Sequence, residues 1–514
     1  MFELIKVPEP SLLFGYGQSL EDPRDGLTIF GPFDRGIPIR SAVIGRKEGI
    51  QWFKKWVSAV QGPMENILPQ RSSGHFIDSI DISRPPFPGF EPIFRVTWDP
   101  DSIHEIEVPG GDIETAAHIA DGHERVYRTV GIFLDRIQRT IKEEEKNIEI
   151  WFIVIPDYVK QNCRVQSRIP LPKQVKVAKT APAAFLKRLG RQPSLFEEHN
   201  VAAIPYQYEI NFHNQLKARL LGKQVVTQII QEKTIAYREP AYLTKAGRPK
   251  INYDPMRTQI AWNICASVYY KVCGRPWKLS GIREGVCYVG LVFKKVEHAT
   301  DYNTACCAAQ MFLDSGDGVV FKGAVGPWYN PVEGDYHLSE PAAKELMNIV
   351  VNAYTKNKGG PPKELFVHGK VSFNDTEWTG FKSAVPEGTN LVGVRIKNDN
   401  TFKLFKNAKT PALRGLTYVR NEHMAYLWTK GFVPKLQTYP GREVPNPILI
   451  DVCRGNIDIE VVLNDIMALT KLNYNACKYG DGIPVTLRFA NSIGEILTAG
   501  PQEEVPPLLF KYYI

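Results

Sequence analysis

His213 and Lys217 stand 217 − 213 = 4 positions apart in the run His213-Asn-Gln-Leu-Lys-Ala-Arg219. On a helix that spacing is about one turn, so the two side chains share a face. Shortly after, Thr227-Gln228-Ile-Ile sets a side-chain amide ahead of two apolar residues, and Lys271 closes a further helix-like run just before Gly274-Arg-Pro-Trp277. An imidazole, an amide and two ammonium groups brought together from separate segments would suit a terminal phosphate. Such a group carries about two negative charges and three acceptor oxygens, and it needs several converging donors with at least one fixed cation. A helix N-terminus would add backbone donors and a favourable dipole. Taken singly, the residues say less: a His-x-x-x-Lys pair is the ordinary pattern of a solvated helix face, and Lys271 alone suits the C-terminal end of a helix dipole.

Positioning these residues requires alternating strands and helices, and the sequence supplies them. Arg40 to Ile44 reads as a strand, Gly49 to Val60 as a helix, 91–98 as a strand-like run and Thr115 to Glu145 as one long helix. Glu149-Ile-Trp-Phe-Ile-Val-Ile155, bounded by Pro156-Asp157, has the unbroken apolar character of a strand buried on both faces. Residues 168–205, rich in Pro, Lys and Ala, read as a long insertion with a short helix near Phe185 to Leu189. Helices are predicted over His213 to Leu221 and Gln259 to Lys271, and Gly274-Arg-Pro-Trp277 then marks a boundary. Beyond it, Val286 to Phe293, Cys306 to Asp314, Gly318 to Ala324 and Glu364 to His368 read as strands. Pro341 to Lys356 reads as a helix capped by Ser339 and stopped by Gly359-Gly360, and Ile457 to Leu472 as another. The first 40 residues look like an extended, turn-rich lead-in. The fold class is α/β, in two domains, 1–275 and 276–514.

Bulk properties limit the alternatives. The chain has 514 residues, long enough for two domains or more. Its 63 Lys+Arg against 55 Asp+Glu give a net charge of +8, which permits an anionic partner at a local surface. The eight cysteines form no C-x-x-C pair and no zinc-ligand spacing, as suits a reducing compartment. With no leader-like start and no apolar run of about 18 residues, the expected location is cytoplasmic, without membrane contact. No Walker A loop, Gly-x-Ser-x-Gly elbow or His-Glu-x-x-His pair occurs. The absence of a Gly-x-Gly-x-x-Gly fingerprint after any predicted strand argues against a dinucleotide-dependent metabolic enzyme.

The order of these elements resembles short prokaryotic Argonaute proteins from about residue 148 onward. Ile150-Trp-Phe-Ile-Val-Ile-Pro156 is similar to the strand before the pocket of the MID domain. His213, Lys217, Gln228 and Lys271 fall where that family carries a Tyr-or-His, Lys, Gln, Lys set. Tyr288-Val-Gly-Leu-Val-Phe293, Phe366-Val-His-Gly-Lys-Val-Ser-Phe-Asn-Asp-Thr-Glu-Trp378, Leu472-Asn-Tyr-Asn475 and Ile483 to Ala490 resemble successive parts of a PIWI domain. The resemblance implies a Rossmann-like MID domain, extended at its N-terminus, over 1–275 and an RNase H-like PIWI domain over 276–514. It implies that His213, Lys217, Gln228 and Lys271 hold the 5′ phosphate of a small guide RNA. It further implies a Mg²⁺ there, partly ligated by the carboxylate of Ile514 at the end of the apolar tail Leu508-Leu-Phe-Lys-Tyr-Tyr-Ile514.

A cleaving PIWI domain needs clustered carboxylates around two metal ions. Val292, Gly369 and Asn491 stand where the resemblance would place such ligands, and neither apolar groups nor a neutral amide can bridge divalent cations as carboxylates do. The expectation is a protein that recognises complementary single-stranded DNA without cutting it. Asp314, Asp317, Asp375, Asp451 and Asp458 remain as scattered carboxylates for the rival reading, an active guide-directed nuclease. His368 reads as a hydrogen-bonded structural residue. Lys403, Lys406, Lys409, Arg414, Tyr418 and Arg420 suit either a phosphate backbone or a solvated basic face. Short members of the family work with an APAZ-containing effector of TIR or sirtuin-like type. The resemblance thus implies a heterodimer in bacterial defence that oligomerises on target binding, with NAD-depleting activity in the partner.

Overall fold

The computed structural model describes residues 3–67, 83–143, 147–178, 180–189, 193–295, 305–313, 318–330, 334–439, 441, 443–501 and 507–514. Side chains at 305–308 and 324 are outside that description. Two sheets organise the chain.

The first is a four-stranded parallel sheet in the spatial order His104–Glu107, Ser41–Gly45, Ile150–Ile155, Thr227–Gln231. Every residue of Ile150–Ile155 is buried, as expected of a parallel strand covered on both sides. The side chains split by the two-residue period. Phe152 and Val154 join the helix Lys47–Ala59 and the helix Arg257–Val272 through Phe53, Trp262 and Tyr269. Trp151, Ile153 and Ile155 face the helices Gly122–Glu143 and Phe212–Leu221 through Val130, Phe133, Leu216 and Leu220.

The second is a ten-stranded mixed sheet. Its order is Glu3–Lys6, Leu416–Asn421, Met424–Leu427, Ile448–Arg454, Asn390–Asn398, Glu364–Gly369, Val286–Lys295, Ala305–Leu313, Gly318–Gly326, Leu508–Leu509. Glu364–Gly369 lies parallel to both of its neighbours, and the other pairings are antiparallel. One face packs against the helices Glu340–Lys358 and Asp375–Ala384. The other face carries Tyr288, Val292 and Phe312 under the helices Ile459–Leu469, Val485–Arg488 and Ala490–Leu497. That core cluster also contains Val43, Phe152 and Trp262, so a single apolar core runs from one sheet to the other.

Several expectations change. Residues 91–98 are not a strand: Phe90–Phe94 is a short helix, with Pro92 in its first turn where a missing N–H costs nothing, closed by Arg95 at φ 57°. The predicted long helix is two, Gly110–Ala117 and Gly122–Glu143. The lead-in is more ordered than a turn-rich reading implies. Asp22 caps the helix Pro23–Phe30 by accepting from the Arg24 N–H. Glu3–Lys6 forms an edge of the second sheet, and Leu12–Leu13 pairs with Lys278–Leu279. Ser339 takes the N-cap position of Glu340–Lys358 without a side-chain hydrogen bond, and Gly359, at φ 81°, ends that helix. Among the described residues no helix is long and apolar enough to cross a membrane.

Candidate anion-binding site

Asn211 caps the helix Phe212–Leu221, its side-chain oxygen accepting from the Asn214 N–H at 3.3 Å. Phe212, Leu216 and Leu220 then anchor that helix in the core. Lys217 is thereby carried inward and is only 2% exposed. Its ammonium donates to the carbonyl of Thr227 at 3.0 Å and to the main-chain oxygen of Ile514 at 2.7 Å. From the last turn of Arg257–Val272, the equally buried Lys271 donates to the same Thr227 carbonyl at 3.1 Å and to Gln228 Oε1 at 2.5 Å. The Ser267 hydroxyl, one turn earlier, lies 3.4 Å from Gln228 Oε1 and 3.1 Å from Asn475 Oδ1. The Thr227 hydroxyl is buried and unpartnered.

Of the residues singled out in the sequence, the structure therefore gathers Lys217, Gln228, Lys271 and Ile514 around one strand end. His213 sits one turn from Lys217, with Nδ1 3.1 Å from Asn214 Oδ1. Burial, then the nearby charge of Lys217, with Lys160 and Lys271 adding to it, pulls the His213 pKa down to about 4, so its imidazole is neutral at pH 7. Burial pulls Lys217 down to about 7, and burial together with Lys217 holds Lys271 well below the ordinary lysine range. Among the described residues, these two ammonium groups bond carbonyl, amide and main-chain oxygens and no side-chain carboxylate. A pair of buried cations sharing one neutral acceptor is an arrangement that an anion would stabilise.

The tail that carries Ile514 is fixed by apolar packing. Leu508–Leu509 pairs with Val319–Val320, and Phe510 meets Phe312 and Phe489 at ring distances of 5.9 and 5.0 Å. Tyr513 and Ile514 are 2% and 9% exposed.

Val292, Gly369 and Asn491 lie about the centre of the second sheet. Val292 is in the apolar core opposite Ala308, and Gly369 ends its strand opposite Arg395. Asn491, on the helix Ala490–Leu497, accepts from the Lys370 ammonium at 3.0 Å. His368 is buried, with Nδ1 2.9 Å from Thr486 Oγ1, and burial drops its pKa to about 3, so it is a neutral structural residue. Gly290, opposite His368, leaves no room for a side chain: a Cβ there would stand 1.9 Å from the Thr486 carbonyl. Asp375 and Asp451 pair with Arg454 and Arg395, each at 2.7 Å, and Asp458 caps a helix. Asp314 and Asp317 lie outside the described residues.

One residue of the basic–aromatic group is misplaced by the sequence reading. Arg414 is 7% exposed, ion-paired with Glu9 at 2.9 Å and bonded to the Thr429 carbonyl and the Thr470 hydroxyl, so it holds the lead-in rather than facing a strand. Residues the sequence reading missed include Thr227, Ser267, Asn475 and Lys370. Ser267 carried a signal, since it precedes Lys271 by one helical turn. Thr227 contributes its main chain, which has no signature in sequence.

A parallel three-layer lobe joined to a mixed sheet of this order is an Argonaute-type fold, combining a Rossmann-like MID unit with an RNase H-like PIWI unit. In particular, the chain matches a Clostridium butyricum Argonaute bound to a guide DNA (5′ deoxycytidine) and a 19-mer target DNA. The TM-score is 0.62 at 16% identity, over 98% of this chain and 53% of that one. It matches A. aeolicus Argonaute, in one structure with externally bound siRNA at TM-score 0.55 and 13% identity, over 99% and 56% of the two chains. A second A. aeolicus Argonaute structure gives 0.51 and 13%, over 98% and 54%. This chain thus spans about half the length of these proteins. No protein-family model and no curated protein matches the sequence.

Proposed function

We propose that this protein binds the 5′ phosphate of a small guide RNA between its two sheets and uses the guide to recognise complementary single-stranded DNA without cutting it. The observation that carries this reading is the convergence of the Lys217 and Lys271 ammonium groups on the Thr227 carbonyl, with Gln228 alongside. A phosphate entering there would add a dianion that both cations can share. His213, neutral and half-buried at the rim, would offer a ring face and a neutral nitrogen to the first nucleotide rather than a charge.

The Ile514 oxygen fits a Mg²⁺ at this end, because that hard cation takes oxygen ligands and is usually completed by substrate phosphate and water. Where Ile514 ends the protein, its carboxylate would be the ligand, and the ion would supply charge neutralisation at the guide's end.

The non-cleaving part of the reading is supported by the residues at the sheet's centre. A core valine, a strand-end glycine and an amide that already accepts from an ammonium take the three places discussed above. The effector partner, an APAZ-containing chain with a TIR or sirtuin-like NAD-consuming domain, is supported by the sequence resemblance alone. Co-purification with the product of the neighbouring reading frame tests it.

The core of the proposal is tested by fluorescence anisotropy with otherwise identical 5′-phosphorylated and 5′-hydroxyl RNA guides. A preference for the phosphorylated guide of roughly tenfold or more is expected, the size of a charge-assisted contact. Equal affinities, or specific cleavage of labelled complementary DNA in Mn²⁺ by the guide-loaded protein, would overturn the corresponding half of the reading.

A further inference from the structure

Away from the Lys217 pocket, a cavity of about 250 Å³ lies between the helix Lys47–Ala59, the segment that follows the strand Thr227–Gln231, and the first turn of Arg257–Val272. Arg257 and Lys271 are 271 − 257 = 14 positions apart on that last helix, about 21 Å of rise, so the cavity is separate from the lysine pocket. Three aromatic side chains wall it. Trp52 and Trp56 stand one turn apart on Lys47–Ala59, and Tyr237 comes from the segment after the strand; Met64 and Ile260 add apolar surface. Each ring is already held in place. Trp52 meets the Tyr242 ring edge-on at 5.7 Å, Trp56 meets Trp98 at 6.4 Å, and Tyr237 donates its hydroxyl to Asp254 at 2.6 Å. Walls fixed by contacts of their own cost little to reorganise when a ligand enters.

The charges in the lining cancel except at one place. Lys55 and Glu239 bond each other at 2.6 Å, and Arg238 pairs with Asp254 at 2.7 Å. Arg257 has no side-chain hydrogen bond or ion pair among the described residues, and no acidic residue shares its helical turn. Asp254, the nearby carboxylate, bonds Arg238 and the Tyr237 hydroxyl instead. One unanswered guanidinium thus borders an aromatic slot. A volume below the roughly 300–1,000 Å³ of drug-sized pockets limits the occupant to a single ring system. One free cation suits a monoanion, whereas a phosphate dianion would call for a second, and the planar fork of a guanidinium matches a carboxylate. We infer that this cavity binds a small planar aromatic acid, its ring among Trp52, Trp56 and Tyr237 and its carboxylate on Arg257. The ligand's apolar body replaces water against the rings, and its charge settles the one cation that the fold leaves without a partner.

The test is calorimetric titration of the full chain, free of nucleic acid, with three probes: indoleacetate, the neutral indoleacetamide, and hexanoate, which carries the charge without the ring. Indoleacetate should bind at one site and more tightly than either of the others by roughly tenfold or more, the size of a charge-assisted contact. Arg257→Gln should bring the acid down to the affinity of the amide and leave the amide unchanged. Ala59→Phe, which fills the cavity from an exposed helix position, should abolish binding of both. Thermal midpoints equal to the parent's show that a lost signal is not a folding defect. Should Ala59→Phe fail to fold, the ratio of acid to amide affinity in Arg257→Gln decides alone. Equal affinity for acid and amide, no saturable binding of either at millimolar concentration, or an acid affinity that Arg257→Gln leaves intact would overturn the inference. Acid binding that survives in folded Ala59→Phe would place the ligand elsewhere and overturn it equally. No guide enters these measurements, so the failure of the 5′-phosphate reading would leave this one standing.

Discussion

Replacing Lys217 with methionine should make the free protein no less stable while removing its preference for a 5′ phosphate. The side chain is 2% exposed, and its pKa falls from 10.5 to about 7 on burial. A lysine whose pKa is depressed in the folded state is penalised most where both states are protonated. Between about pH 7 and 10.5 the unfolded chain holds the proton and the folded chain does not, so stability rises with pH across that window; below about 7 the whole penalty stands. At 1.36 kcal/mol per pH unit the penalty is about 5 kcal/mol in order of magnitude. Methionine has nearly the same volume and no charge, so it removes this term with little packing change. Against that gain, the Thr227 carbonyl keeps the Lys271 ammonium at 3.1 Å, and the Ile514 oxygen is the acceptor left without its partner. One orphaned buried acceptor costs about 1–3 kcal/mol. The balance favours the variant, so its thermal midpoint at pH 7 should rise or hold. The guide side moves the other way. Losing a charge-assisted contact of about 1.5–3 kcal/mol weakens phosphorylated guides by roughly 10- to 100-fold and leaves hydroxyl guides nearly unchanged. Differential scanning fluorimetry and anisotropy on the same preparation read both effects. A lower midpoint combined with an intact phosphate preference would show that Lys217 is a structural residue and refute the reasoning.

The same titration predicts a pH optimum for guide capture. The phosphate binds the ammonium form of Lys217, so above about pH 7 affinity should fall toward tenfold per unit, and below about 6 the phosphate itself becomes a monoanion. Calorimetry at pH 8 in buffers of different ionisation enthalpy should therefore detect proton uptake, and Lys217→Met should abolish it. Arg414→Met should destabilise the protein by about 3–5 kcal/mol, because Glu9 is then left in a nearly dry site with Lys471 as its remaining cation. Chemical denaturation checks that value, and nucleic-acid affinity per folded molecule should not change.

How far the sequence discloses this protein depends on how local each feature is. The strand Ile150–Ile155 and the helices Phe212–Leu221 and Arg257–Val272 fall within two residues of their predicted limits, because an unbroken apolar run and a one-turn His–Lys spacing are short-range properties. The gathering of Lys217, Gln228 and Lys271 follows from where those elements lie in a parallel sheet. The shared acceptor does not, because it is a backbone carbonyl. Residues 91–98 read as a strand because their aromatic and branched residues favour one, whereas Gly89 and Pro92 set the local geometry of the helix Phe90–Phe94. The pairing of Glu3–Lys6 with Leu416–Asn421 spans over four hundred residues and leaves no local trace. Arg414 looks like a surface cation for the same reason, since its partner Glu9 comes from the distant lead-in.

The lysine pocket and the centre of the second sheet are tied together by one short helix. On Ala490–Leu497, Asn491 holds Lys370, and one turn later Glu495 accepts from Lys294 at 3.1 Å and lies 3.5 Å from the Asn214 amide, beside His213. That helix and the preceding Val485–Arg488 turn are seated on the strand Val286–Lys295, where Gly290 admits the Thr486 carbonyl, and His368 on the neighbouring strand bonds the Thr486 hydroxyl. Sliding the helix over the sheet would break that hydrogen bond and drive backbone into backbone, a contact with no soft side chain to yield. The packing therefore fixes the helix that carries Asn491 and Glu495 relative to both the second sheet and the lysine pocket, so the pocket's floor is set by core packing rather than by any bound strand.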